Sequence, residues 1–196
     1  GNLMQILRAS MTLAVVFAVM GCSSPSGSTG GTELDGSLPP PVDAAMEVFT
    51  LTSPDFVEQG VLPTEYTCDG AKNSPPLAWT GVPAGAVEFE IMMTTVAPDG
   101  LKWNWVLHSI PGNVRSLAKN SMGVGTAGLT SDGPLLAYSP PCSQGPGKKW
   151  YKFTDYALSG KPSLPSQPNQ VTGAVLTSAI SGLTLASSEL NVSYTR

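Results

Sequence analysis

The chain has 196 residues, enough for one domain with a sizeable core, and nothing in its length requires two. Its 41% hydrophobic content and four tryptophans exclude a disordered chain, while 21 glycines, 18 prolines and only 12% charged residues describe a turn-rich, β-dominated body. A net charge of −4 without any Lys/Arg stripe excludes a nucleic-acid partner.

In chain order, the first predicted element is an apolar run from Met11 to Met20, preceded by the single charge of Arg8. It is too short to span a bilayer comfortably and has the length of a secretory signal core; a buried helix or strand is the competing reading. The following Val19-Met20-Gly21-Cys22-Ser23-Ser24 resembles the bacterial lipoprotein processing site. Small Gly21 suits a peptidase cleft, and the Cys22 thiol is the acylation handle. Residues 1–22 therefore read as a lipoprotein-type signal segment with Cys22 as the lipidation site. Residues 23–45, rich in Ser, Gly and Pro, read as a tether, and 46–196 as the globular domain. Ser23 beside the acylated cysteine resembles the sorting choice for the outer membrane of Gram-negative cells. The expected location is the cell envelope, lipid-anchored and facing the periplasm.

From Met46 the pattern alternates. MEVFTLTS reads as a first strand, followed by a turn at Gln59-Gly60, a short strand over Leu62 to Tyr66 and the Cys68-Asp69-Gly70 turn. Leu77 to Trp79, Val87 to Thr95 and Trp103 to Ile110 follow as strands, the last ending at Pro111-Gly112. Leu135 to Tyr138 reads as an edge segment and Lys149 to Leu158 as a long alternating strand. Val171 to Ile180 reads as a short helix opening near Thr172 or Gln170 and stopping at Gly182, and Glu189 to Tyr194 closes the sheet.

Reactive residues are few. The single histidine, His108, sits in WNWVLHSI; strict alternation puts Trp103, Trp105 and Leu107 on one face and Asn104, Val106 and His108 on the other. No spacing supplies it with a nucleophile or an orienting carboxylate, and no hydrolase, zincin, phosphate-loop or dinucleotide motif is present. Scattered Cys68, Cys142 and His108 do not form a metal set, so neither metal nor cofactor is expected. With Cys22 taken by lipid, two thiols remain in an oxidising compartment, which favours a Cys68–Cys142 bridge over two separate buried thiols or a reactive cysteine.

The order LTSPDF, LPTEYTCDG, NSPPLAW, GVPAG, NWVLHSIPG, a proline–cysteine loop and YKFTDYAL resembles the phosphatidylethanolamine-binding protein family, especially its bacterial members, over about Phe49 to Arg196. The resemblance implies a mostly β fold, a large antiparallel sheet packed against a smaller one, with a short C-terminal helix and a small anion-binding recess near one end. It places the ligand-binding residues at Thr94, Val96, Asn104, Pro140, Pro141, Lys149, Trp150 and Tyr151. Here the chain departs from the family pattern. Thr94 and Val96 stand for two carboxylates, Asn104 and Lys149 for histidines, and Trp150 for an arginine, while Tyr151 is kept. The expected function is binding of a small polar or anionic ligand, a lipid headgroup among them, by a module that is not an enzyme. A protein-interaction or inhibitor module of the protease or kinase-pathway type is the alternative, and an unusual enzyme using Tyr151, Lys149 and Asn104 the second.

Overall fold

The longest alternating segments of the chain become its central strands. The computed structural model describes residues 47–196. The expected signal segment, Cys22, the tether and Met46 lie outside the described residues. The elements are β1 (Thr50–Thr52), β2 (Gly60–Val61), β3 (Leu77–Thr80), β4 (Glu88–Ala97), β5 (Gly100–Pro111), β6 (Ser116–Leu117), β7 (Thr126–Ala127), β8 (Lys148–Leu158), α1 (Gly173–Ile180) and β9 (Thr184–Thr195). They form a six-stranded sheet in the order β2-β9-β8-β4-β5-β7 and a three-stranded sheet in the order β1-β3-β6. Pairings within both are antiparallel except the short β2–β9 contact, which is parallel. The mostly β architecture with a large sheet, a smaller one and a short late helix is as expected.

Burial explains the arrangement. One face of the large sheet, with Phe89, Ile91, Met93, Phe153 and Val192, packs on Leu51, Leu77, Trp79 and Leu117 of the small sheet. The other face buries Met92, Val106 and Leu158 against Leu176 and Ile180 of α1. Strand β4 is thus covered on both faces, which is why Ile91, Met92 and Met93 in its middle are apolar in succession rather than alternating. Thr172 caps α1, its hydroxyl accepting from the Val175 N–H at 3.2 Å. The first helical residue must be glycine, because a Cβ on Gly173 falls 2.0 Å from the Trp103 ring.

Several expectations are corrected. Leu62 to Tyr66 is not a strand: Pro63 fixes the backbone, and Thr64–Tyr66 turn into a 3-10 helix with Tyr66 N–H bonded to the Pro63 carbonyl at 3.0 Å. Leu135 to Tyr138 carries no strand pairing, since Tyr138 turns inward to donate to the Tyr66 carbonyl at 2.8 Å. Helix α1 is capped by Ser181, one residue before Gly182. Strand β9 runs longer than its polar first half suggests, because it pairs with β8 from Thr184 to Thr195.

Strict alternation also fails in β5, at two bulges. Met93 pairs with Trp105 while Thr94 pairs with Trp103, leaving Asn104 without a partner. Trp105 therefore enters the core between the sheets and Trp103 the core under α1, rather than sharing a face. The second bulge opposes His108 and Ser109 to Glu90; Ser109 has φ 59, and its N–H donates to Glu90 Oε2 at 3.0 Å. The buried Glu90 carboxyl thereby satisfies an amide that the bulge removes from the ladder.

Burial pushes Glu90 up to about 9, with the neighbouring Glu88 adding to the shift, and pushes Asp155 up to about 8. Both side chains are 0% exposed, and neither oxygen of Asp155 has a hydrogen-bond partner. These raised values stabilise the fold fully below the ordinary carboxyl values of 4.5 and 3.8, and the contribution is lost as pH rises through about 8 to 9. The melting temperature is expected to fall steadily between pH 5 and pH 9, and Glu90→Gln with Asp155→Asn to flatten that decline; equal slopes for the two proteins would contradict the assignment.

Candidate ligand-binding site

The bulge at Asn104 builds the site. Because that residue leaves the ladder, its carbonyl accepts from the Ser139 N–H at 2.7 Å and its side-chain amide donates to the Ser139 carbonyl at 3.3 Å. Trp103, one residue earlier, binds Ser131 twice, through the Ser131 hydroxyl and the Ser131 N–H, each at 2.9 Å. These bonds fasten the loop from Ser131 to Ser139 beside β5 without forming a strand. A recess of about 800 Å³ opens there, with Asn104 and Tyr151 among its lining residues. Its walls come from the β4–β5 hairpin (Thr95 to Asp99), from Ser131, Asp132 and Ser139, and from the loop Pro140 to Gly145.

A clamp holds the mouth. Cys68 and Cys142 are disulfide-bonded with Cα atoms 5.3 Å apart, and the Cys68 N–H donates to the Pro141 carbonyl at 3.0 Å. Asp69 accepts from the Tyr194 hydroxyl at 2.6 Å and pairs with Arg196 at 3.2 Å, tying the same loop to the end of β9. Gly70 is required because a Cβ there falls 2.1 Å from the Thr64 carbonyl oxygen. The YTCDG motif is therefore scaffold: it shapes the rim and carries one half of the clamp.

The recess has a mixed apolar and polar lining with a cationic bias. Lys72, Lys102 and Lys149 line it beside Asp99 and Asp132. Asp99 is occupied by Lys102 at 2.7 Å, and Asp132 accepts from the Ser139 hydroxyl. Lys149 makes no ion pair among the described residues. Asn104 is 7% exposed, and its Oδ1 is buried without a partner. Burial pushes the Tyr151 phenol up, and the nearby negative charge of Asp132 adds to it, so Tyr151 is a neutral donor at ordinary pH. Among the described residues no group of three His, Cys, Asp or Glu side chains is placed to hold a metal ion.

Of the residues expected from sequence, Val96, Asn104, Pro140, Lys149 and Tyr151 line this recess together. Thr94 and Trp150 do not. Thr94 pairs with Lys152 and Thr95 with Tyr151, so the pleat turns Thr95 to the recess and sends Thr94 and Trp150 to the opposite face of the sheet. Pro141 is buried behind the rim and contributes its carbonyl to the clamp. Sequence reasoning missed Thr95, which the period-two register of β4 against β8 supplies, and Lys72 and Lys102, which carry no motif. Asp132, in the glycine-rich stretch 123–133, lines the recess as well. His108 lies elsewhere, buried at the second bulge.

A two-sheet β domain with a recess at the end of its large sheet is a ligand-binding module. The family model "Phosphatidylethanolamine-binding protein" matches residues 52–195. The chain belongs to the phosphatidylethanolamine-binding protein family, whose members are generally non-catalytic ligand- or protein-binding modules. It is 31% identical to a Mycobacterium tuberculosis protein provisionally named lipoprotein LppC, over 85% of this chain and 86% of that protein. A provisionally assigned phosphatidylethanolamine-binding protein homologue of Chlamydia trachomatis superposes with a TM-score of 0.70 at 30% identity, covering 76% of this chain and 98% of that one. Escherichia coli YbcL shares the fold, with a TM-score of 0.69 at 22% identity over 76% and 99% of the two chains.

The disulfide joins positions 74 residues apart, so its loss releases a long loop in the unfolded chain. Replacing both cysteines by alanine is expected to lower unfolding stability by about 2–4 kcal/mol. Urea titration measures this; unchanged stability would show that the clamp holds the rim without stabilising the domain.

Proposed function

We propose that this chain is an envelope-tethered member of its family that binds a small ligand carrying both an anionic group and a hydrogen-bond donor. The observation behind this reading is Asn104, buried on the wall of the recess with its amide oxygen unpartnered. A buried acceptor left without a partner costs roughly 1–3 kcal/mol, and a donor from a ligand recovers it. Lys149 and Lys72 supply positive charge for the anionic group, and Val96 lines the recess where the family pattern has a carboxylate that would repel it.

Phosphoethanolamine has this combination of groups and is the natural probe. Calorimetric titration is expected to show binding that Lys149→Ala weakens about tenfold, the order of one charge-assisted hydrogen bond. Asn104→Leu is expected to abolish it with the circular dichroism spectrum unchanged, although the melting temperature falls because the amide's bond to the Ser139 carbonyl is lost as well. Indifference of the titration to both substitutions would refute the site.

The anchoring half of the proposal rests on the sequence: the apolar run, Gly21-Cys22 and the tether 23–45. The likeness to LppC, provisionally named a lipoprotein, supports it. Among the described residues no helix is long and apolar enough to cross a membrane, so in this reading the membrane is reached through lipid on Cys22. Ser23 favours the outer membrane, with the domain facing the periplasm. In cells fed labelled palmitate, the full chain is expected to take up label and Cys22→Ala to take up none; label retained by that variant would place the lipid elsewhere.

A further inference from the structure

The bridge that clamps the rim is itself part of the recess wall. Cys68 and Cys142 both line the recess, Cys68 half-buried and Cys142 exposed, and neither belongs to the core between the sheets. A disulfide sealed in a core is shielded from thiols; one that faces a recess is open to any thiol small enough to enter it. Lys72 and Lys149 line the same space, so a thiol carrying negative charge is drawn toward the sulfurs.

The two sulfurs are not equivalent. Arg196 Nη1 donates to Cys142 Sγ at 3.4 Å and to the Ser143 carbonyl at 3.3 Å, while its Nη2 pairs with Asp69 at 3.2 Å. The guanidinium is thereby held against one sulfur, where it meets negative charge that develops there. Bonds that do not involve sulfur hold the same loops together. The Cys68 N–H donates to the Pro141 carbonyl at 3.0 Å, the Gly147 N–H to the Arg196 carbonyl at 2.9 Å and the Tyr194 hydroxyl to Asp69 at 2.6 Å. Opening the bridge therefore leaves its two ends side by side, and the reverse reaction stays within reach.

We infer that the Cys68–Cys142 bridge is a thiol-exchange site, at which a small thiol bearing an anionic group enters the recess and becomes covalently attached to Cys68. The thiolate sulfur of the incoming molecule attacks Cys68 Sγ and forms a new S–S bond. The bond to Cys142 breaks, and its electron pair leaves on Cys142 Sγ beside Arg196. The proton of the thiol goes to water, one disulfide replaces another, and no oxidant or reductant is consumed. Return attack by Cys142 on Cys68 Sγ expels the thiol and restores the bridge. The inference goes beyond ligand binding in the recess and takes from that reading only the preference for an anionic thiol.

The test uses the full chain with Cys22→Ala, which leaves the two bridge cysteines alone in the sequence. Mercaptoethanesulfonate, the anionic probe, and mercaptoethanol, its neutral match, are added at equal thiolate concentration. The reaction is quenched in acid and adducts are mapped by peptide mass spectrometry. The adduct is expected on Cys68, forming at least about fivefold faster with the sulfonate. Arg196→Gln is expected to slow it about tenfold, the order of one charge-assisted hydrogen bond, and Arg196→Lys to restore most of the rate. A guanidinium that only braced the rim would have the opposite effect, since its removal would expose the bridge and speed the reaction. An adduct on Cys142, equal rates for the two thiols, an Arg196→Gln rate at or above the parent's, or no adduct until urea unfolds the chain would each overturn the inference. Calorimetric binding of phosphoethanolamine is read separately and involves no sulfur, so loss of exchange with that binding intact strikes this inference alone.

Discussion

One extra residue in β5 governs much of this molecule. In a regular strand Trp103 and Trp105 fall on the same face, and one side of the large sheet would have to accommodate two indoles while the other lost its anchor. The bulge at Asn104 sends one to each side. Trp105 then completes the core between the sheets, its ring 5.5 Å from that of Tyr138 in an edge-on contact. Trp103 becomes the plate on which α1 begins, close enough that its partner there has no side chain. Asn104, in excess of the ladder, is left with its amide at the recess. Core, helix and candidate site share this single irregularity.

The fold was legible because its signals are redundant. Alternation in β8, the apolar stretch of β4, the Thr172 cap and the YTCDG and SPPLAW motifs agree with one another and with the family pattern. The site was legible only to within a residue. Thr94 and Thr95 are chemically identical, and which one faces the recess depends on the register of β4 against β8, a fact about pairing that no local pattern carries. The two bulges of β5 were invisible for a related reason: a bulge is one residue in a count, and Trp-Asn-Trp looks like clean alternation. Lys72 reaches the recess from a turn and Lys102 from the start of β5, so only the folded chain brings them together.

The departures from the family pattern act in one direction. Hydroxyl and hydrocarbon replace acids at the end of β4, and permanent cations border the recess in a protein that is acidic overall. At the same time two carboxyls, Glu90 and Asp155, lie deep in the sheet. Glu90 has a structural task at the Ser109 bulge; the structure offers no account of why position 155 is an acid, given that neither of its oxygens is bonded.

The strand order holds a final implication, for how the domain comes into being. Strand β9 follows every other described element in the chain, yet it lies inside the large sheet between β2 and β8. Until it emerges, β8 shows a bare edge, the parallel contact with Gly60 and Val61 cannot form, and the end of the rim clamp at Tyr194 and Arg196 does not exist. Such long-range closure is slow by nature. For a chain carried out of the cytoplasm through a leader, as proposed, that lateness is useful: the polypeptide remains a thread for as long as it must be threaded, and the compartment that receives it is also the one able to oxidise Cys68 and Cys142.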